Sequence, residues 1–62
     1  MIYAMYDQGY AIILEREDGQ SVCLQGDDAM YFRADWQDEN HGHLTIGQFI
    51  EHLGYDVLFE GA

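Results

Sequence analysis

The stretch GDDAMYFRADWQDEN, residues 26–40, decides the fold because it combines an apolar stripe with a run of acids. At 100° per residue, Ala29, Phe32 and Trp36 fall on one side of a helix, with the i, i+3, i+7 spacing of a face that packs against a core. The five acids of the stretch fall together on another side: Asp27, Asp28, Asp35, Asp38 and Glu39. The pattern predicts an amphipathic helix that buries one face and presents negative charge on another.

The residues before this helix have the composition of β-strands. Residues 2–6, 10–16 and 21–25 are rich in apolar and aromatic side chains, as strands are. Asp18 and Gly19 lie between the second and third of these segments, and an Asp-Gly pair is a strong short-range signal of a β-hairpin. Three strands are therefore expected, with the last two joined in a hairpin.

The residues after the acidic helix predict a second helix and a last strand. Thr45 is positioned to cap a helix, and Gly54 is positioned to end it. The apolar residues between them follow the i, i+3, i+4, i+7 spacing of a core face: Ile46, Phe49, Ile50 and Leu53. Tyr55–Phe59 is interpreted as a strand. Asp27 and Gly42 are expected to cap the start and to stop the end of the acidic helix.

The predicted fold class is α+β, with the element order β-β-β-α-α-β and two helices packed on one face of a small antiparallel sheet. At 62 residues the chain is expected to form a single domain, residues 1–62, near the lower size limit for one hydrophobic core. A terminal strand has to pair within the sheet or with a second copy across an open edge. Both a monomer and a homodimer are therefore compatible with the sequence.

The composition points to a basic protein as partner. Twelve acids against two arginines and no lysine give a formal charge of −10. Such a chain repels nucleic acid and anionic membranes, because binding to either depends on Lys and Arg. The single cysteine, Cys23, excludes an intrachain disulfide. Residues 1–14 lack the basic n-region and small-residue cleavage site of a signal peptide, and no apolar run reaches the length of a membrane span, so neither is expected. A soluble, cytoplasmic protein is expected.

The acidic helix is the first candidate binding surface, although a charge run is just as often only a solvated face. Asp28, Asp35 and Glu39 would form a row along it with separations of about 10 Å and about 6 Å. A duplex carries one charge per about 1.7 Å of its axis, so the charge density of the helix alone is too low to imitate DNA. A second row of acids is needed. The candidates for that row are Glu15, Glu17 and Asp18 at the hairpin, together with Asp56 and Glu60. Tyr31 falls among the acids and is the candidate apolar anchor, the alternative being a tyrosine that lies flat on the sheet.

With these acids on a helix and a hairpin, the chain resembles the small phage-encoded inhibitors that mimic DNA, anti-CRISPR proteins among them. The likeness is one of size, charge and aromatic content over the whole chain, because these families share no motif. It implies a non-enzymatic inhibitor that occupies the basic channel of a nucleic-acid-binding protein, such as a CRISPR–Cas effector, and excludes the DNA. In phage-encoded form it would act in the cytoplasm of the host cell.

Two other readings stay open. The acidic face can dock on one basic protein without imitating DNA, as in an antitoxin-like or accessory subunit. Alternatively, His41 and His43 can bind zinc or nickel with His52 or Cys23 as a third ligand, although their spacing matches no known site and loop histidines near a helix end are the commoner case. No catalytic set or phosphate loop fits a chain of this length. The expectation is a binding protein without enzyme activity, cofactor or metal.

Overall fold

Three antiparallel strands in sequence order form one sheet, and two helices follow them along the chain. The computed structural model describes residues 2–60. The elements are β1 (Tyr3–Asp7), β2 (Ala11–Arg16), β3 (Ser21–Gln25), α1 (Asp27–Trp36), α2 (Ile46–His52) and two 3₁₀ turns, Glu39–His41 and Tyr55–Phe59. The α+β class, with the sheet before the two helices, is confirmed.

The hairpin between β2 and β3 forms as predicted. Its loop has three residues, closed by the N–H of Arg16, which donates to the carbonyl of Gln20 at 2.8 Å. The N–H of Gly19 donates to the carbonyl of Arg16 at 3.0 Å. Gly19 has φ +92°, a conformation that residues with a side chain rarely adopt, and it allows the chain to turn back and pair with β2. The hairpin then continues with Glu15 opposite Ser21.

The sheet buries one face and leaves the other open. In β2, Ile12 and Leu14 are fully buried in the core, whereas Ile13 and Glu15 alternate to the opposite face. The register places Ile13 between Tyr6 and Cys23. None of the core cluster comes from this second face. The helices therefore cover only one side of the sheet.

Helix α1 has the predicted core stripe but different ends. Ala29 and Phe32 are buried, and Trp36 packs against them. The N-cap is Gly26, with φ +60°, and the prediction of Asp27 as N-cap is wrong. A positive φ is needed where the chain leaves β3, and glycine adopts it without a steric penalty.

The predicted end of α1 is also wrong. The helix stops at Trp36, and Asp38 has an extended backbone, φ −63° and ψ 134°, at which its carboxylate accepts the N–H of Asn40 at 2.9 Å. That contact caps a separate 3₁₀ turn, in which Glu39 lies. Gly42 is right-handed, with φ −64°, and does not stop the helix.

Helix α2 begins and ends at the predicted residues. The Thr45 hydroxyl accepts the N–H of Gln48, and the Gln48 side chain accepts the N–H of Thr45, which makes a complete capping box. Gly54 is left-handed, with φ +80°. Three members of the predicted stripe face the core: Ile46, Phe49 and Ile50. The fourth, Leu53, is exposed, so its assignment to the core is wrong.

The predicted last strand is a 3₁₀ turn, Tyr55–Phe59. Tyr55, Leu58 and Phe59 pack on the core, whereas Val57 is exposed. This is the i, i+3, i+4 pattern of a helical turn, since a strand would place Tyr55, Val57 and Phe59 on one face. The ring of Phe59 lies 5.4 Å from the ring of Tyr3 and covers one end of the core. The segment does not extend the sheet, so it gives no reason to expect pairing with a second copy.

Candidate functional site

All twelve carboxylates of the chain are exposed, and no charged or polar side chain is buried in the part that the structure describes. The folded domain therefore keeps its acids in solvent. The negative charge is a property of the surface, and the core does not depend on it.

Both arginines are bound to carboxylates of the same chain. Arg33 makes a two-pronged contact with Asp7, with both nitrogen–oxygen distances at 2.7 Å, and also donates to the carbonyl of Gly9 at 2.6 Å. Arg16 pairs with Asp18 at the hairpin loop and lies over the ring of Phe59. The chain thus presents no free Lys or Arg to a partner.

The contact between Arg33 and Asp7 predicts a specific loss of stability in acid. The hydrogen bond from Arg33 and the N–H of Gly9 lower the pKa of Asp7 from 3.8 to about 2. The pKa of Asp7 is lower in the folded state than in the unfolded state. The stabilisation that its ionised carboxylate gives to the fold is therefore complete above about pH 3.8 and is lost as the pH falls through about 2. We expect the stability difference between the wild type and Asp7→Asn, from urea unfolding, to be constant above about pH 4 and to shrink below it. A difference independent of pH would contradict this role for Asp7.

The structure divides the predicted acidic residues between two ends of the sheet. The register places the loop of Glu17 and Asp18 at one end and the last residue of β3, Gln25, at the other. Helix α1 starts next to Gln25, and its Arg33 contacts the β1–β2 turn at that same end. The start of α1 therefore lies away from the hairpin loop, and the two do not form neighbouring rows.

The hairpin loop instead gathers with acids from the end of the chain. Burial raises the pKa of Tyr3, and the nearby charges of Glu51, Asp56 and Asp18 raise it further, against the effect of Arg16. Glu17 also lies there, with its carboxylate 3.4 Å from the N–H of Ile2. Glu15 is exposed on the open face of the sheet. The acids near Tyr3 thus lie away from the start of α1, and Glu15 lies on the opposite face of the sheet.

The acids at the end of α1 have structural partners that the sequence did not indicate. The hydroxyl of Tyr55 donates to the Asp35 carboxylate at 2.6 Å, and burial together with this bond raises the pKa of Tyr55 to about 12. Asp38 caps the 3₁₀ turn that holds Glu39. The predicted row of Asp28, Asp35 and Glu39 assumed one continuous helix and is not formed.

Tyr31 is exposed on α1, with 65% of its surface accessible. The alternative of a tyrosine flat on the sheet is therefore wrong. The neighbouring Met30 is 53% exposed and was not predicted as part of the surface. Met30 lies outside the core stripe of Ala29, Phe32 and Trp36, and this position on the helix is the feature of the sequence that indicates its exposure.

The histidine segment is tied to the fold. The Nδ1 atom of His41 lies 3.1 Å from the carbonyl oxygen of Asp35, and its ring packs 5.5 Å from the ring of Phe49. Within residues 2–60, no three side chains of the His, Cys, Asp or Glu type come together as a metal site would require. Nothing in this geometry supports the metal-binding reading.

A groove of about 350 Å³ lies between the start of β1 and α2. Ile2, Tyr3 and Ile46 supply apolar walls, and Thr45, Gln48 and the carboxylate of Glu51 supply polar groups. The side chains of Thr45 and Gln48 already bond to each other's backbone in the capping box. The groove therefore combines apolar walls with one acidic side chain, that of Glu51.

Comparison with protein-family models, curated proteins and solved structures found no match for this chain. Over the described residues, no helix has the length and apolar character needed to cross a membrane.

Proposed function

We propose that this chain is a non-enzymatic acidic inhibitor that mimics nucleic acid and occupies the DNA-binding site of a basic protein, for which a CRISPR–Cas effector is one example. The observation that carries the proposal is the uncompensated surface charge. All twelve carboxylates are exposed, and both arginines are held in ion pairs within the chain. Such a target lies in the cytoplasm, and we place the protein there, in the host cell if a phage encodes it.

Mimicry has to come from the whole domain, since α1 alone carries too few acids. The longest dimension of the domain is 29 Å, over which a duplex presents about 17 charges. The chain's formal charge of −10 is more than half of that number. Acids at both ends of the sheet, rather than two adjacent rows, would supply the imitation. Electrostatic attraction of this kind speeds association with a basic groove and weakens as salt is added.

The second candidate is an acidic subunit that docks on one basic protein partner without mimicking DNA. The specific observation in its favour is the pair of exposed apolar side chains on α1, Met30 and Tyr31, among carboxylates. A surface that only replaces phosphates does not need exposed apolar side chains. A protein–protein contact does, because aromatic residues and methionine are enriched in interfaces.

Competition with duplex DNA tests the proposal. The immobilised chain is used to capture its partner from an extract of cells that carry the gene, and the isolated partner is then titrated with labelled duplex in the presence and absence of this protein. We expect the chain to displace the duplex, with less effect at 200 mM than at 50 mM salt. A ternary complex of partner, duplex and chain would contradict mimicry and support docking elsewhere.

A further inference from the structure

The exposed face of α1 is built around one aromatic ring. On a helix, the neighbours of Tyr31 are the residues three and four positions away, with Cβ atoms at roughly 5–6 Å. Three of these four neighbours are carboxylates, and the fourth is a small side chain: Asp27, Asp28, Asp35 and Ala34. All four are exposed. Tyr31 thus presents its ring between acids one turn before it and one turn after it.

One of these carboxylates is held in place before any partner binds. The hydroxyl of Tyr55, itself half-buried against Phe32 and Phe49, donates to Oδ2 of Asp35. The bond fixes a surface carboxylate to the core. An acceptor fixed in this way loses less conformational freedom on binding than a free surface side chain does.

Charge decides what can cover this face. A nucleic acid is repelled by the carboxylates. A second copy of this chain has only Arg16 and Arg33 as side-chain cations apart from its histidines, and both are already paired with acids. The occupant has to bring cations of its own. A basic protein surface meets this condition.

We infer that the Tyr31 face of α1 binds arginine side chains of a protein partner, with the guanidinium stacked on the ring and bonded to the carboxylates around it. Arginine fits better than lysine because its guanidinium is planar, stacks on aromatic rings and donates through a fork that matches carboxylates. The inference rests on the proposed function, since it names the chemistry of the basic partner. Mimicry could depend on net charge alone, whereas this inference requires the aromatic ring of Tyr31.

The test compares two short peptides of equal length and charge, one with three arginines and one with three lysines, separated by glycines in both. Each is titrated into ¹⁵N-labelled protein at 50 mM salt and followed by NMR. We expect the arginine peptide to bind about two- to fivefold more tightly, with the largest shifts at residues 27–35. Tyr31→Ala should bring the two affinities together, whereas Tyr31→Phe should keep the preference.

Tyr10→Ala is the matched control, because Tyr10 is 77% exposed at the β1–β2 turn and lies outside α1. It should leave the arginine preference unchanged. Equal binding of both peptides to the wild type would overturn the inference and leave the charge-based function standing. An undiminished preference in Tyr31→Ala, or shifts centred on residues 15–19, would also overturn it. If neither peptide bound at low salt, the proposed function would fail as well.

Discussion

Phe49→Ala is expected to leave the domain largely unfolded. Phe49 is fully buried, and four aromatic rings surround it with centroids 5.0–5.7 Å away: Phe32, Trp36, His41 and Tyr55. Truncating a buried phenylalanine to alanine costs about 3–5 kcal/mol through lost burial and the cavity left behind. A domain of this length has a total stability of about 3–9 kcal/mol, and a charge of −10 reduces it further by self-repulsion.

The measurement is urea unfolding followed by the fluorescence of Trp36, whose ring contacts Phe49 directly. Phe49→Leu is the matched control, because it keeps an apolar side chain at the site and leaves a smaller cavity. It should fold with a lowered midpoint. A cooperative transition of Phe49→Ala near the wild-type midpoint would mean that the rings around Phe49 are not the centre of the core.

Elements with a local chemical cause could be predicted from the sequence. The Asp18-Gly19 loop needs a residue that tolerates positive φ, and the Thr45 cap needs a hydroxyl three residues before Gln48. The stripe of α1 follows from spacing alone. Each of these depends on residues within a few positions of one another, and each is confirmed.

Features that depend on distant residues could not be predicted. Tyr55–Phe59 has strand-like composition, but its conformation is a 3₁₀ turn that packs Tyr55 and Phe59 on the core formed by the earlier elements. Arg33 and Asp7 are 26 positions apart, and no pattern in the sequence joins them. For the candidate site, amphipathicity predicted the exposure of the acids of α1, whereas it left open whether Tyr31 is exposed or lies flat on the sheet. The acids lie at two ends of the sheet because of the register of its strands, and the sequence pattern does not specify that register.

A pair of charge reversals tests whether the partner contacts the Tyr31 face of α1. Asp28→Lys lies in the first turn of α1, beside Tyr31, and Glu15→Lys lies on the open face of the sheet. Each variant changes the formal charge from −10 to −8, so long-range attraction to a basic partner falls equally in both. Asp35 is unsuitable for this comparison, because its reversal would also break the bond from Tyr55.

We expect Asp28→Lys to weaken the complex with the captured partner by at least about tenfold and Glu15→Lys by less than about threefold. A like charge placed inside a contact costs more than the same charge outside it, and tenfold corresponds to about 1.4 kcal/mol. Lysine near a helix N-terminus also opposes the helix dipole, at about 0.3–1 kcal/mol, so the urea midpoint of each variant has to be measured beside its affinity. Equal losses in the two variants would mean that the partner responds only to the net charge of the domain, and they would contradict a direct contact at the Tyr31 face of α1. A larger loss in Glu15→Lys would place the contact on the open face of the sheet, away from α1.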